Sequence, residues 1–252
     1  MKETKIIKIK NIKLNNPIMI EGLPGVGHVG KLVAEHMVEE LGAEKIMDIY
    51  SPHFPPQVIV QDNVARLLRN EIYAYKHDQQ DLLIIIGDHQ SVTNAGHYEL
   101  CELFLDIAQQ FGVKRIYTLG GYGIGQLIET DTVIGAVNNP DLLEEMLEYG
   151  VEFRVNEPGG GIIGVSGLLL GLGRLRGIDS VCLMGITSGY IVDPKSAQAV
   201  LKILCKILNI NIDMYALEER AKEMEKIVEK LREMEQLQAP YTSDGEDLGY
   251  IG

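Results

Sequence analysis

The chain has 252 residues, 46% of them hydrophobic and 23% charged, with 36 Asp and Glu against 23 Lys and Arg and a formal net charge of -13. A chain of this size buries about three quarters of its unfolded surface, so these proportions describe a globular protein and exclude wholesale disorder, a collagen-like repeat and a small disulfide scaffold. The acidic excess works against the clustered positive field that phosphate backbones require, so no nucleic-acid partner is expected.

The lysines from Lys2 to Lys13 fall on an alternating pattern and read as a solvated strand edge. The longest apolar run, Gly161 to Gly173, is glycine-studded and shorter than the ~20 residues of a membrane span, so no membrane partner is expected. MKETKIIKIK lacks the continuous apolar core of a signal peptide, which predicts a cytoplasmic location. Cys101, Cys182 and Cys205 are odd in number and lie in apolar segments, the pattern of buried thiols rather than of disulfides or a metal site.

Periodicity predicts strands at Lys5 to Lys10 and Pro17 to Ile20, a glycine-rich turn from Gly22 to Gly30, a helix over Lys31 to Leu41 and a strand at Lys45 to Tyr50. After the prolines Pro52, Pro55 and Pro56, alternation over Val58 to Gln61 and Ala65 to Lys76 predicts an antiparallel excursion. Leu82 to Ile86 is continuously apolar, as a strand covered on both faces must be. A helix over Asn94 to Phe111, a strand at Arg115 to Leu119, a strand at Thr132 to Val137, helices over Asp141 to Tyr149 and Val165 to Leu175, and a strand at Ile178 to Met184 follow. Asp193 and Pro194 form an N-cap and first-turn pair for a helix with Ala197, Val200, Leu201 and Leu204 on one face. The alternation predicts an α/β fold with Rossmann-like layering, a mainly parallel sheet and helices on both faces.

Beyond Asn211 the composition shifts to Glu, Lys, Arg, Met and Leu. Leu217, Ala221, Met224, Val228 and Leu231 recur at spacings of four and three, the seam of an amphipathic helix that packs on its own domain or on another subunit. Three units are therefore expected: an α/β core over 1–211, a charged helix over 212–236 and a flexible acidic tail over 237–252.

GLPGVGHVGKL carries the strongest chemical signal. Gly25, Gly27 and Gly30 satisfy G-x-G-x-x-G, and with Lys31 they approach a phosphate loop, but Leu32 stands where a Ser or Thr would hold magnesium. These residues define the alternative of a nucleotide-binding enzyme, ATP-grasp-like or NAD-linked, with Asp48 near the place of a ribose-binding carboxylate; the other explanation is a tight turn that packs a helix closely on a strand. Asp88, His89, Ser91 and His97 follow the buried strand, where ligand crevices form. Their closeness in sequence suits a loop and a cap at Thr93 or Asn94 better than a catalytic triad. No histidine or cysteine spacing fits zinc. Gly164, Gly167 and Gly171 recur at helical spacing, which predicts close backbone packing within the chain or between subunits.

The order and spacing of GLPGVGHVGK, DLLIIIGDHQ, GHYELCELFLDIAQQFGVKRIYTLGGYG, GGGIIGVSGLLLGLGRLRGID and CLMGITSGYIVDPKSAQAVLKIL resemble the proteasome assembly chaperone family in its archaeal branch, over most of residues 16–235. The resemblance implies a homo-oligomer, a trimer or tetramer, that acts without catalysis or cofactor in the assembly of proteasome α subunits. Family members engage pockets between α subunits through a C-terminal hydrophobic residue, tyrosine and any residue. Here the chain ends Leu248, Gly249, Tyr250, Ile251, Gly252, with the tyrosine one place early, so Leu248, Tyr250, Ile251 and Gly252 are the expected partner-binding residues.

Overall fold

The computed structural model describes residues 1–127, 130–155, 161–224 and 226. The strands are β1 (Lys5–Lys8), β2 (Ile18–Glu21), β3 (Glu44–Tyr50), β4 (Val58–Gln61), β5 (Val64–Leu67), β6 (Asn70–Tyr75), β7 (Leu82–Gly87), β8 (Arg115–Gly123), β9 (Val133–Val137) and β10 (Asp179–Thr187). The helices are α1 (Val29–Glu40), α2 (Asn94–Phe111), α3 (Leu142–Glu148), α4 (Val165–Leu175) and α5 (Pro194–Leu208).

Eight strands form one sheet in the spatial order β1, β3, β6, β7, β2, β8, β10, β9, and β4 pairs with β5 apart from it. Neighbours are parallel only from β7 through β2 and β8 to β10. The flanks are antiparallel. The expected parallel sheet is thus the centre of a mixed one, because the link over 76–81 between β6 and β7 is too short for a parallel crossover. The four parallel strands stand in the succession second, first, third, fourth, whereas the Rossmann order begins third, second, first.

Strand alternation divides the core. Ile18, Ile20, Leu82, Ile84, Tyr117 and Leu119 face α1 and α5. Met19, Leu83, Ile85 and Ile116 face α2 and α4. Helix α2 begins at Thr93, whose hydroxyl accepts the Gly96 N–H at 3.1 Å, and stops at Gly112 in the left-handed region (φ 76°). Asp193 caps α5 by accepting the Ser196 N–H at 2.9 Å, with Pro194 in the first turn. Between β4 and β5 the turn residues Asp62 and Asn63 both have positive φ, the geometry of a two-residue hairpin of the primed kind.

The last helix begins at 215. Leu217 is fully buried and Ala221 nearly so, and Ile212 and Leu217 belong to the α1 and α5 side of the core. His36 Nε2 donates to the Asp213 carbonyl at 2.6 Å and ties the approach to α1. Val228, Leu231 and the expected partner-binding residues Leu248, Tyr250, Ile251 and Gly252 lie outside the described residues. No helix among the described residues is long and apolar enough to cross a membrane.

Candidate functional site

The C-terminal ends of β2 and β8 are where ligand crevices open in sheets of this order. The glycine turn sits there, and three of its four glycines, Gly22, Gly27 and Gly30, have a mechanical reason. A Cβ on Gly30 would collide with the Leu119 carbonyl of β8, and one on Gly22 would collide with the Gly30 carbonyl and Ala34. Gly27 has φ 61° and lies against Thr187, while Gly25 is extended and has room. The glycines therefore let α1 lie directly on β8. Lys31 does not project free: Nζ donates to the Gly87 carbonyl at 3.1 Å and pairs with Glu35 at 2.8 Å. Asp48 is remote from the turn, because β6 and β7 stand between β3 and β2. It pairs instead with Lys45 at 3.3 Å and Arg69 at 3.5 Å.

Behind the turn, Glu21 ends a wholly buried strand and is itself 0% exposed. Its Oε1 accepts the Leu23 N–H at 2.9 Å and its Oε2 accepts the Ser166 hydroxyl at 2.8 Å. Burial outweighs both bonds and pushes its pKa up to about 7. Gln90 closes the other side. Its Oε1 accepts the Val165 N–H at 3.0 Å and its Nε2 donates to the Pro24 carbonyl at 2.8 Å. Gly164, at the N-cap of α4, has no side chain to offer, and Gln90 supplies the acceptor from a distant loop. The crevice is thus cross-linked by the protein's own groups: Glu21 to α4, and Gln90 to both α4 and the glycine turn. Local periodicity singles out neither residue. The available signal is a carboxylate ending the apolar strand IMIE, since an unpaired buried Glu is rare.

The segment after β7 is held by similar bonds. Burial alone would raise the Asp88 pKa, but the Arg66 guanidinium at 2.6 and 2.9 Å and the Arg69 N–H at 3.0 Å hold it below the ordinary carboxylate range. His89 Nδ1 lies 2.8 Å from the Gln90 carbonyl, and Ser91 Oγ donates to the Thr93 carbonyl at 2.8 Å. His97 sits in the first turn of α2, where burial lowers its pKa. The side chains of Asp88, His89 and Ser91 are used by the loop, while His97 Nδ1 is buried without a hydrogen-bond partner, and the four are not arranged as a nucleophile, base and orienter would be. Cys101, Cys182 and Cys205 are free, the first two buried. Burial drives the Cys101 pKa up, that of Cys182 to about 12 and that of Cys205 to about 11, which keeps them as thiols rather than nucleophilic thiolates. No group of three His, Cys, Asp or Glu side chains among the described residues is placed to hold a metal ion.

This architecture has known counterparts. An uncharacterized protein of Methanocaldococcus jannaschii is 42% identical over 252 residues, spanning 97% of this chain and 96% of that protein. The crystal structure of Pyrococcus furiosus PbaB, described as an archaeal proteasome activator, matches with a TM-score of 0.87 and 45% identity over 92% of this chain and 100% of that one. Pyrococcus furiosus PbaA, described as an archaeal homolog of proteasome-assembly chaperone, matches with a TM-score of 0.76 and 26% identity over 93% and 94% of the two chains. The PAC2 family pattern runs through residues 19–232, from β2 into the last helix, and the chain belongs to the PAC2 family.

Proposed function

We propose that the chain is a non-enzymatic accessory factor of the proteasome core particle, a cytoplasmic homo-oligomer that binds α subunits or the α ring. The observation that carries this reading is the 45% identity, over 92% of this chain and 100% of the other, with a protein described as an archaeal proteasome activator. Assembly and activation place the same demand on the factor, recognition of the α-subunit surface, so the two roles share one binding event. Leu248, Tyr250, Ile251 and Gly252 form its C-terminal contact, with the side chains of Leu248, Tyr250 and Ile251 suited to an apolar groove on the α-subunit surface. An acidic chain of net charge -13 suits a basic protein surface, and charge complementarity of that kind speeds encounter.

The test uses full-length protein and recombinant archaeal α and β subunits. Peptide hydrolysis by the finished core particle reads activation, and the yield of core particle from separate subunits reads assembly. Wild-type protein is expected to be retained by α-subunit resin, and deletion of Leu248 to Gly252 is expected to weaken retention at least tenfold. Absence of retention for the wild type removes the proteasome reading; equal retention of both forms removes the tail alone.

A further inference from the structure

The C-terminal ends of β2, β7, β8 and β10 define one end of the sheet. Strand β3 finishes and β6 begins at that same end, since Ile49 pairs with Asn70 and Asn70 with Gly87. The β4–β5 hairpin joins β3 to β6 and so projects from it. In the hairpin Val58 lies opposite Leu67 and Val60 opposite Ala65, which places these four on one face. Val58, Val60 and Leu67 are 51%, 64% and 55% exposed. The hairpin is nonetheless fixed, because Arg66 is clamped by Asp88 and Ile59 packs against the core.

Beside it the turns after β2, β8 and β10 meet. Val26 lies against Gly123 and Gly189, and the Tyr190 hydroxyl donates to the Gly125 carbonyl at 3.4 Å. Val26, Tyr190 and Val192 are exposed there, and Val64, Val92 and Ile163 are exposed at the same end. Nine of the eighteen large apolar side chains exposed among the described residues therefore share one end of the molecule, which is not the scatter of an ordinary surface. The opposite end is charged, with Lys114, Arg115, Glu145 and Asp179 around a cavity of about 340 Å³.

We infer that the apolar end of the sheet, hairpin and turns together, is the surface through which copies of this chain associate. The inference rests on the homo-oligomer reading above and supplies its interface. Two features favour a second copy as occupant. Each copy carries a net charge of -13, so like molecules approach with least repulsion over an apolar patch, and the hairpin's Arg66 is already neutralised by Asp88 of the same copy. Val64 lies on the other face of the hairpin, with Ile59 and Arg66, and the remaining eight side chains, exposing on the order of 100 Å² each, give roughly 800 Å², which matches the about 800 Å² per partner of a stable interface.

The experiment is native mass spectrometry and light scattering on the full chain, for wild type, Val60→Asp with Leu67→Asp, and Tyr190→Asp. The wild type is expected to be oligomeric at micromolar concentration, and each variant is expected to dissociate at concentrations at least tenfold higher, with an unchanged circular dichroism spectrum. Val60→Thr with Leu67→Gln keeps the test open if the Asp pair misfolds, with a smaller shift in the same direction. A monomeric wild type, or folded variants that remain oligomeric, overturns the inference. Oligomeric variants that lose retention by α-subunit resin overturn it too, and assign this end to the proteasome. Dissociation of the variants upholds it even where the wild type shows no proteasome binding.

Discussion

Glu21 shows how one buried group sets a solution property. Its carboxyl holds a proton more tightly in the folded chain, with a pKa near 7, than at its ordinary value of 4.5. Stability therefore falls as pH rises from about 4.5 to about 7 and stays lower above that window, by on the order of 3 kcal/mol. Glu21→Gln mimics the protonated acid: its amide oxygen can accept from Leu23 and its NH₂ can donate to Ser166. The variant is expected to lose this pH dependence and to exceed the wild type in denaturant midpoint at pH 8; parallel pH profiles for the two proteins would refute the assignment. The glycine turn gives a second contrast. Gly30→Ala drives a methyl into the Leu119 carbonyl and is expected to cost about 3 kcal/mol, while Gly25→Ala meets nothing closer than Gln90 Nε2 at 3.9 Å and is expected to change stability by less than about 0.5 kcal/mol. Urea titration of both variants checks the pair. The sequence presents Gly25, Gly27 and Gly30 as one motif, but their separate reasons depend on which strand α1 packs against, which no local pattern carries.

At the scale of elements, α4 tests whether helical glycine spacing means packing. A Cβ on Gly167 would collide with the Ile162 carbonyl, whereas Gly171 is exposed with no heavy atom within 4 Å of the same position. Gly167→Ala is expected to destabilise by about 1–3 kcal/mol and Gly171→Ala to stabilise by about 1 kcal/mol, since alanine is the better helix former. Thermal midpoints moving in opposite directions verify this; a shared direction contradicts it. The expected close packing thus holds for Gly167 and leaves Gly171 without an intramolecular explanation. Local elements are legible where their signals are local: Asn94 to Phe111 and Val165 to Leu175 are read with the bounds that the structure has. Strand β8 runs on through Gly120 to Gly123, past the expected end at Leu119, because β10 pairs with it as far as Thr187 and supplies order that glycine does not. The placing of Asp48, and the joining of Glu21 to Ser166 and of Gln90 to Val165, follow from strand order. Pairings between residues up to 145 positions apart leave no periodic trace.

For the molecule as a whole, the question is whether the change of composition at Asn211 marks a boundary between bodies. Composition divides the chain into a core, a charged helix and a tail, yet the first turns of the helix are built into the core. Leu217 is fully buried, Ala221 is 7% exposed, and Gln198 of α5 donates to Glu218 at 3.1 Å. His36, on the buried side of α1, is bonded to the Asp213 carbonyl. The ten residues over 215–224 are too few to be stably helical alone in water, so burial of Leu217 against α1 and α5 must supply much of their stability. Leu217→Ala is accordingly expected to cost the folded chain about 2–5 kcal/mol, the range for a truncated core leucine, and to shift the single unfolding transition of the whole protein. A chain ending at Asn211 is expected to lose more, since the apolar surface of α1 and α5 that receives Ile212, Leu217 and Ala221 is then left to water. If the helix were instead a separate body, Leu217→Ala would leave the main transition in place and remove only an early, low-amplitude one; calorimetry on the full-length variant distinguishes these outcomes directly.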